Sequence, residues 1–275
     1  QETLTRKIVA ELEGYDNLYY EIMNEPYIRG APMEWQHRIA EVISDAESNF
    51  PHRHLISQNI ANGRAKVDNA HPAVSILNFH YAWPPDTVAM NYGLNRVIGD
   101  NETGFKGTGD AHYRMEGWAF ILAGGGLYNN LDYSFTVGHE DGSFEFPSTQ
   151  PGGGGAKLRG QLRILRDFIT SFDFIHMHPA KALVKGSLPE GVSAEALARL
   201  GKQYALYIYR EKAPKSNAPV ELRLEMPEGR YRVEWVDTLT GATKPGEPFQ
   251  HPGGERALTS PAVAQDIALR GIAGE

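Results

Sequence analysis

Across residues 4–172, short apolar runs with strand character alternate with segments whose apolar residues recur at helical spacing. This alternation constrains the fold most, because strands separated by helices or crossovers pair side by side in a parallel sheet. The chain opens in a helical pattern: Leu4, Ile8, Val9 and Leu12 share a face and Gly14 ends it. Residues 18–23 (LYYEIM) predict a strand that closes on Asn24, Glu25 and Pro26. Pro32 opens a helix carrying Trp35, Ile39, Val42, Ile43, Ala46 and Phe50. Residues 54–60, 74–81 and 96–100 predict three more strands. The links between them are about a dozen residues, which leaves room for short helices or none. Asp110 caps a helix bearing Met115, Trp118, Ala119 and Leu122, and residues 127–135 hold a fifth strand. A polar, glycine-rich loop over residues 138–155 precedes the clearest helix, marked by Leu158, Leu162, Leu165, Phe168, Ile169 and Phe172.

After Pro179 the pattern changes. Residues 204–209 (YALYIY) are strand-like, and Val220, Leu222, Leu224 and Met226 alternate with charged residues. Pro227-Glu228-Gly229 predicts a turn into a further strand with Tyr231, Val233 and Trp235 facing inward, and Arg230, Arg232 and Glu234 outward. Residues 238–241 predict another turn, and Val263, Ile267 and Leu269 a last strand. The expected organisation is an α/β domain over residues 1–182 and an antiparallel β-sandwich domain over residues 183–275.

Composition excludes several classes of function. Of 275 residues 41% are apolar, ample for a core. The net charge is -7 and no basic run neutralises phosphates, which argues against a nucleic-acid partner. No stretch approaches the roughly 18 apolar residues of a membrane span. The absence of cysteine excludes disulfides, thiolate metal sites and a cysteine nucleophile. Residue 1 is Gln and the first residues already read as a helix, so the chain either has a natural mature terminus or, the favoured reading, is the later part of a repeating βα pattern.

Two glutamates stand at strand ends of the parallel sheet: Glu25 in Asn24-Glu25-Pro26, and Glu102 in Asp100-Asn101-Glu102-Thr103-Gly104. In an α/β barrel, functional groups gather at the C-terminal ends of strands. These strands are three apart, so barrel curvature aims both carboxylates at one cleft. Facing carboxyls suit glycosidic cleavage: one protonates the leaving oxygen while the other attacks the anomeric carbon or activates water. The alternative is a pair of exposed strand-end acids. Glu21, by alternation from Glu25, points into the interior, where a charge needs partners, and reads as structural. The acids and histidine of the loop over residues 138–155 lack a ligand spacing that would argue for metal, and no metal or cofactor is expected.

The segment Tyr20-Glu21-Ile22-Met23-Asn24-Glu25-Pro26, with Glu102 at the right strand count beyond it, resembles the catalytic motifs of clan A glycoside hydrolases, cellulase-like family 5 relatives above all. The resemblance covers residues 4–174. It implies a partial (β/α)8 TIM barrel of strands four to eight, the N-terminal half of the barrel lying outside the chain. It implies a retaining mechanism on β-linked glycosides, with Glu25 as acid/base, Glu102 as nucleophile and Asn24 on the sugar 2-hydroxyl. In that family a His and a Tyr at the sixth strand orient the nucleophile and the sugar. His80 and Tyr81 stand there, adjacent rather than spaced by one; the alternative is a structural His and a core Tyr. Trp83, in a Trp-Pro-Pro loop, either stacks on a sugar face or anchors its loop. The Trp that the family offers after the eighth strand has no counterpart in residues 127–133, which leaves Asn129, Asn130 or Tyr133 for that place. His139, Glu140 and Asp141 either border the cleft or sit in a solvated loop.

Residues 229–241 resemble a small C-terminal domain labelled collagen-binding in some bacterial glycosidase-like proteins. Three readings are open: packing against the barrel, carbohydrate binding through exposed aromatics, and collagen binding. The resemblance implies an oligo- or polysaccharide substrate and a secreted or periplasmic bacterial protein, its signal segment not in this chain. The rivals are a non-catalytic carbohydrate- or matrix-binding protein on a glycosidase-derived scaffold, and a clan A transglycosidase.

Overall fold

A computed structural model describes residues 1–147, 149, 151–212 and 217–274. The chain divides into two compact units, Gln1–Glu102 with Gly125–Tyr128, and Thr103–Gly124 with Asn129–Glu275.

The first unit is a five-stranded parallel sheet, curled into a half-barrel. Its strands β1 (Tyr19–Glu21), β2 (Leu55–Asn62), β3 (Ile76–His80), β4 (Val97–Glu102) and β5 (Leu127–Tyr128) pair in chain order. The central β3 is buried along its whole length, as a parallel strand covered on both faces requires. Helices α1 (Glu2–Leu12), α2 (Pro26–Arg29), α3 (Met33–Ala46) and α4 (Asp86–Asn91) complete the unit. Ile39, Ala40, Val42 and Ile43 form the buried face of α3, and Pro32 stands in extended backbone just before it. The short links behave as their lengths demand: α4 is brief, and none of the described residues between β2 and β3 is helical. The outer strands are shorter than expected. β1 keeps three residues and β5 two. The outer edge of β1 is unpaired among the described residues; Leu18, Tyr20 and Ile22 are half-buried and Tyr19 is exposed.

Register within this sheet sets the stage for the site. In β2 the pairing steps from Asn59↔Asn78 to Ala61↔Phe79, so Ile60 is an extra residue. In β4 it steps from Asp100↔Phe79 to Glu102↔His80, so Asn101 is an extra residue. A bulge of this kind turns the following side chain to the other face. The two bulges bring Asn62, His80 and Glu102 into one cross-strand row. Two rows below, Asn78 pairs with Gly99, where a Cβ would meet the Asn78 Oδ1 at 2.9 Å. Glycine therefore leaves room for that amide.

The second unit joins α5 (Asp110–Leu122) and α6 (Ala156–Thr170) to an antiparallel sheet. Its strands are β6 (His178–Pro179), β7 (Val184–Lys185), β8 (Val192–Arg199), β9 (Gln203–Arg210), β10 (Glu221–Val236), β11 (Thr243–Pro245), β12 (Phe249–Thr259) and β13 (Asp266–Ala273). They hydrogen-bond as one sheet in the order β11-β10-β13-β9-β8-β6, with β12 and β7 also on β10.

Two expectations need correction here. Pro227-Glu228-Gly229 is not a chain reversal: residues 221–236 run as one strand, paired with β12 on both sides of Pro227. What changes there is the inward face. Leu222, Leu224 and Met226 point into the core before it, and Tyr231, Val233 and Trp235 after it. Gly253 and Gly254 in the partner strand, both at φ +94°, adopt the conformation that lets β12 change face alongside. The second correction is β8, whose Val-Ser-Ala-Glu-Ala-Leu-Ala-Arg carried no strand signal. Its alanines 194, 196 and 198 point into the core while β9 pairs along its whole length. As expected, Arg230 and Arg232 are exposed, and Glu234 is half-buried on an ion pair with Arg270 at 2.6 Å.

Both faces of β9 are covered. Tyr204, Leu206 and Ile208 enter the sheet core. On the other face Tyr207 stacks on Trp118 of α5, ring centroids 5.4 Å apart, and Trp118 meets Phe168 of α6 at 5.0 Å. A buried polar knot ties the same layers. Asp266 takes a two-pronged ion pair from Arg114 (2.7 and 3.0 Å) and hydrogen bonds from the Tyr207 and Thr238 hydroxyls (2.9 and 2.7 Å). Burial, together with Asp266, pushes the Tyr207 hydroxyl far above its ordinary pKa, so it stays a donor.

Candidate active site

The C-terminal ends of β1, β3 and β4 carry the residues that the sequence singled out. Glu25 follows β1 in a left-handed backbone conformation (φ 44°, ψ 54°) at the start of α2. Its N–H donates to the Asn59 side chain at 3.2 Å. Glu102 ends β4, and His80 ends β3 beside it. Single carboxylate oxygens of Glu25 and Glu102 and a ring nitrogen of His80 all lie within 4.8 Å of one another. The His80 Nδ1 stands 3.4 Å from Glu25 Oε1 and 3.7 Å from Glu102 Oε2, so the imidazole sits between the two acids. Its side chain is fully buried, whereas each glutamate keeps about a quarter of its surface open to solvent (23%). That partition suits groups that must meet a substrate while a neighbour holds them.

Tyr81 directs Glu102. Its hydroxyl donates to Glu102 Oε1 at 2.6 Å, and its N–H to the Glu102 carbonyl at 2.9 Å. Tyr81 adopts φ 54°, which lets it follow His80 and still turn back over β4. Burial pushes the Tyr81 hydroxyl well above its ordinary pKa, and the hydrogen bond and charge of Glu102 push it further. The group remains a proton donor to the carboxylate throughout the useful pH range.

Two residues outside the sequence reading complete the cluster. Asn62 donates from Nδ2 to Glu25 Oε1 at 3.3 Å, and Tyr27 donates to Asn62 Oδ1. Burial, then the charges of Glu25 and Glu102, raise the Tyr27 hydroxyl pKa as well. The strand predicted over residues 54–60 stops short of Asn62 because Ile60 breaks the alternation there. A polar residue at the true strand end was the available signal.

Beneath this cluster lies a second polar layer. Glu21 Oε2 accepts from Asn78 and Asn101 at 3.0 Å each and from Ser57 at 3.2 Å, one donor from each of three neighbouring strands. The expectation of a structural role is met by amide and hydroxyl donors rather than by a cation. Asn78 in turn accepts the Asn101 N–H at 3.2 Å, which fixes the bulge that precedes Glu102.

The remaining expected residues are placed differently. Asn24 is exposed, and among the described residues it makes no hydrogen bond to either carboxylate. Trp83 is half-buried, with its N–H on the Tyr81 carbonyl at 2.9 Å. Asn129 is exposed directly after β5, and Asn130 is buried with its amide on the Gly153 carbonyl at 2.7 Å. His139, Glu140 and Asp141 are exposed and bonded within their own turn, as a solvated loop would be. Trp235 and Tyr231 are buried in the second unit's core, so they offer no exposed stacking surface.

No protein-family model matches the chain, and no curated protein matches it. Solved structures do. One described as a glycoside hydrolase superposes with a TM-score of 0.71 at 14% identity, over 99% of this chain and 68% of its own. A glycoside hydrolase family 5 structure from Bacteroides vulgatus gives 0.70 at 11% identity, over 99% of this chain and 66% of its own. A GH30 endoxylanase from Clostridium papyrosolvens gives 0.57 at 10% identity, over 100% and 72%. The chain thus spans about two thirds of the length of the structures it is similar to. At these identities the likeness is one of fold alone, to structures described as glycoside hydrolases.

Proposed function

We propose that this chain carries the carboxylate pair of a retaining glycoside hydrolase acting on β-linked glycosides. The observation that supports it is the pairing of Glu25 and Glu102, with carboxylate oxygens within 4.8 Å of one another. Retaining enzymes hold their carboxyls about 5–5.5 Å apart, and inverting ones roughly 6.5–9.5 Å, to admit a water. Glu102 attacks the anomeric carbon and forms a glycosyl ester while Glu25 protonates the departing oxygen. Glu25 then takes a proton from the water that opens the ester. The Tyr81 hydroxyl on Oε1 leaves Oε2 of Glu102 directed at His80, and Oε2 is then the attacking atom. Asn24 meets a sugar hydroxyl, and Trp83 offers a ring to a sugar face. In this reading residues 1–182 belong to the barrel, the unpaired edge of β1 receives its earlier strands, and residues 183–275 form an appended β domain that packs against barrel helices.

The test is turnover of a panel of aryl β-glycosides, with the anomeric configuration of the first product followed by NMR. We expect retention of configuration and loss of turnover in Glu102→Gln, whose amide forms no ester. In Glu25→Ala, added azide should restore the rate and yield a glycosyl azide of retained configuration. Near-normal activity of Glu102→Gln sinks the assignment. Saturable binding of oligosaccharides with no turnover by the unaltered protein favours a binding module instead.

A further inference from the structure

We propose that Glu25, His80 and Glu102 bind one first-row divalent transition ion, zinc being the fitting example, and that the ion and a glycoside exclude each other there. The first part rests on geometry alone; the second rests on the glycosidase reading above.

His80 is the residue that points to a ligand. Its side chain is fully buried, yet neither ring nitrogen has a hydrogen-bond partner among the described residues. Buried polar groups are otherwise almost always satisfied. Its Nδ1 stands 3.4 and 3.7 Å from carboxylate oxygens on two different elements. Nitrogen and oxygen ligands about 2.0–2.2 Å from a tetrahedral zinc stand roughly 3.3–3.6 Å from one another. The His80–Glu25 edge already has that length and the His80–Glu102 edge is within reach of it. The carboxylate–carboxylate edge closes by rotation of two side chains that are partly open to solvent. A fourth position faces that opening and takes water.

The donor set selects the class of ion. One imidazole and two carboxylates suit zinc and its neighbours, whereas magnesium and calcium favour oxygen ligands alone. Tyr81 on Glu102 and Asn62 on Glu25 orient the two carboxylates from behind. The His80 Nε2 lacks such support among the described residues, and an absent outer partner typically costs about 10- to 100-fold in metal affinity. The expected ion is therefore reversible and removed by chelators. A substrate places its anomeric carbon and its leaving oxygen between the same carboxylates, so the two occupants share one space.

Calorimetric titration of the chelator-treated protein with zinc, paired with the visible spectrum of its cobalt form, tests the site. We expect one ion per chain and a tetrahedral cobalt band. Glu25→Gln and Glu102→Gln should each weaken binding at least tenfold, because an amide oxygen carries no charge; far-UV circular dichroism checks that both variants fold. His139→Ala, at an exposed histidine elsewhere, should leave binding unchanged. No binding at millimolar zinc, or binding unaltered in both Gln variants, overturns the site. These readouts need no turnover, so they decide the ion site even if no glycoside is cleaved. If glycosides are cleaved, zinc should raise KM without lowering kcat, and EDTA should reverse the effect. Turnover indifferent to zinc at a concentration that fills the site overturns the exclusion.

Discussion

Asn101 is one residue more than the ladder between β3 and β4 needs, and because of it Glu102 faces His80. The Asn78 side-chain Oδ1 accepts the Asn101 N–H, and Gly99 makes room for Asn78. The carboxylate so placed is steered by Tyr81, and that contact is testable alone. A hydrogen bond to a charged group is worth about 1.5–3 kcal/mol, and each 1.4 kcal/mol is roughly tenfold in rate. Tyr81→Phe should therefore lower kcat by about 10- to 100-fold with little change in KM, and lower the melting temperature by only a few degrees, since Phe keeps the ring and loses the donor alone. Steady-state kinetics beside a thermal melt checks this, and an unchanged kcat means the hydroxyl does not act on the reaction. At this scale the sequence was largely legible. Glu102 and His80 end strands of the parallel sheet, Tyr81 directly follows β3 and Glu25 lies just beyond β1; the strand pattern singles out the two glutamates, and the family resemblance the His and the Tyr. Asn62 escaped because the Ile60 bulge breaks the two-residue period that the strand pattern uses.

Elements were legible where periodicity and propensity agree. α3 and α6 carry clean helical patterns, and β9 reads as a strand from its aromatic and β-branched residues. β8 was hidden because alanine-rich sequence has no strand preference of its own; tertiary pairing along β9 decides its state. The Pro-Glu-Gly in β10 read as a turn because those residues mark chain reversals, whereas here they mark a change of face. Tyr231 reinforces that change by donating its hydroxyl back to the Pro227 carbonyl at 3.0 Å. Burial and the neighbouring Tyr204 push that hydroxyl up to about 12, so the bond persists in alkali. Elements of the second unit are tied to one another at Asp266, where α5, β9 and β13 meet a single carboxylate. Removing one partner of a buried ion pair typically costs about 3–5 kcal/mol, since the other charge is left without compensation. Asp266→Ala should lose that much in urea melts, and the added change Arg114→Leu should recover most of it. If Asp266→Ala melts like the parent, the knot contributes no stability.

At the scale of the whole molecule, the parallel sheet is the part that lacks cover. The outer edge of β1 has no strand partner among the described residues, with Tyr19 exposed and Leu18, Tyr20 and Ile22 only half-buried. Leu4 and Ile8 of α1 are exposed as well, at 62% and 43%. Exposed strand edges invite pairing with another chain, and a lysine on such an edge discourages it. We expect the 275-residue chain to self-associate as concentration rises in light-scattering chromatography. Tyr19→Lys should reduce the associated fraction, and a monodisperse monomer with a sharp melt contradicts the expectation. The antiparallel sheet is built the opposite way. Because β10 faces inward on one side before Pro227 and on the other after it, the same ribbon of backbone belongs to both ends of the core. Such a sheet has no seam. Leu222 and Trp235, at opposite ends of one strand, therefore serve a single buried cluster, as the two ends of a folded strap close one buckle.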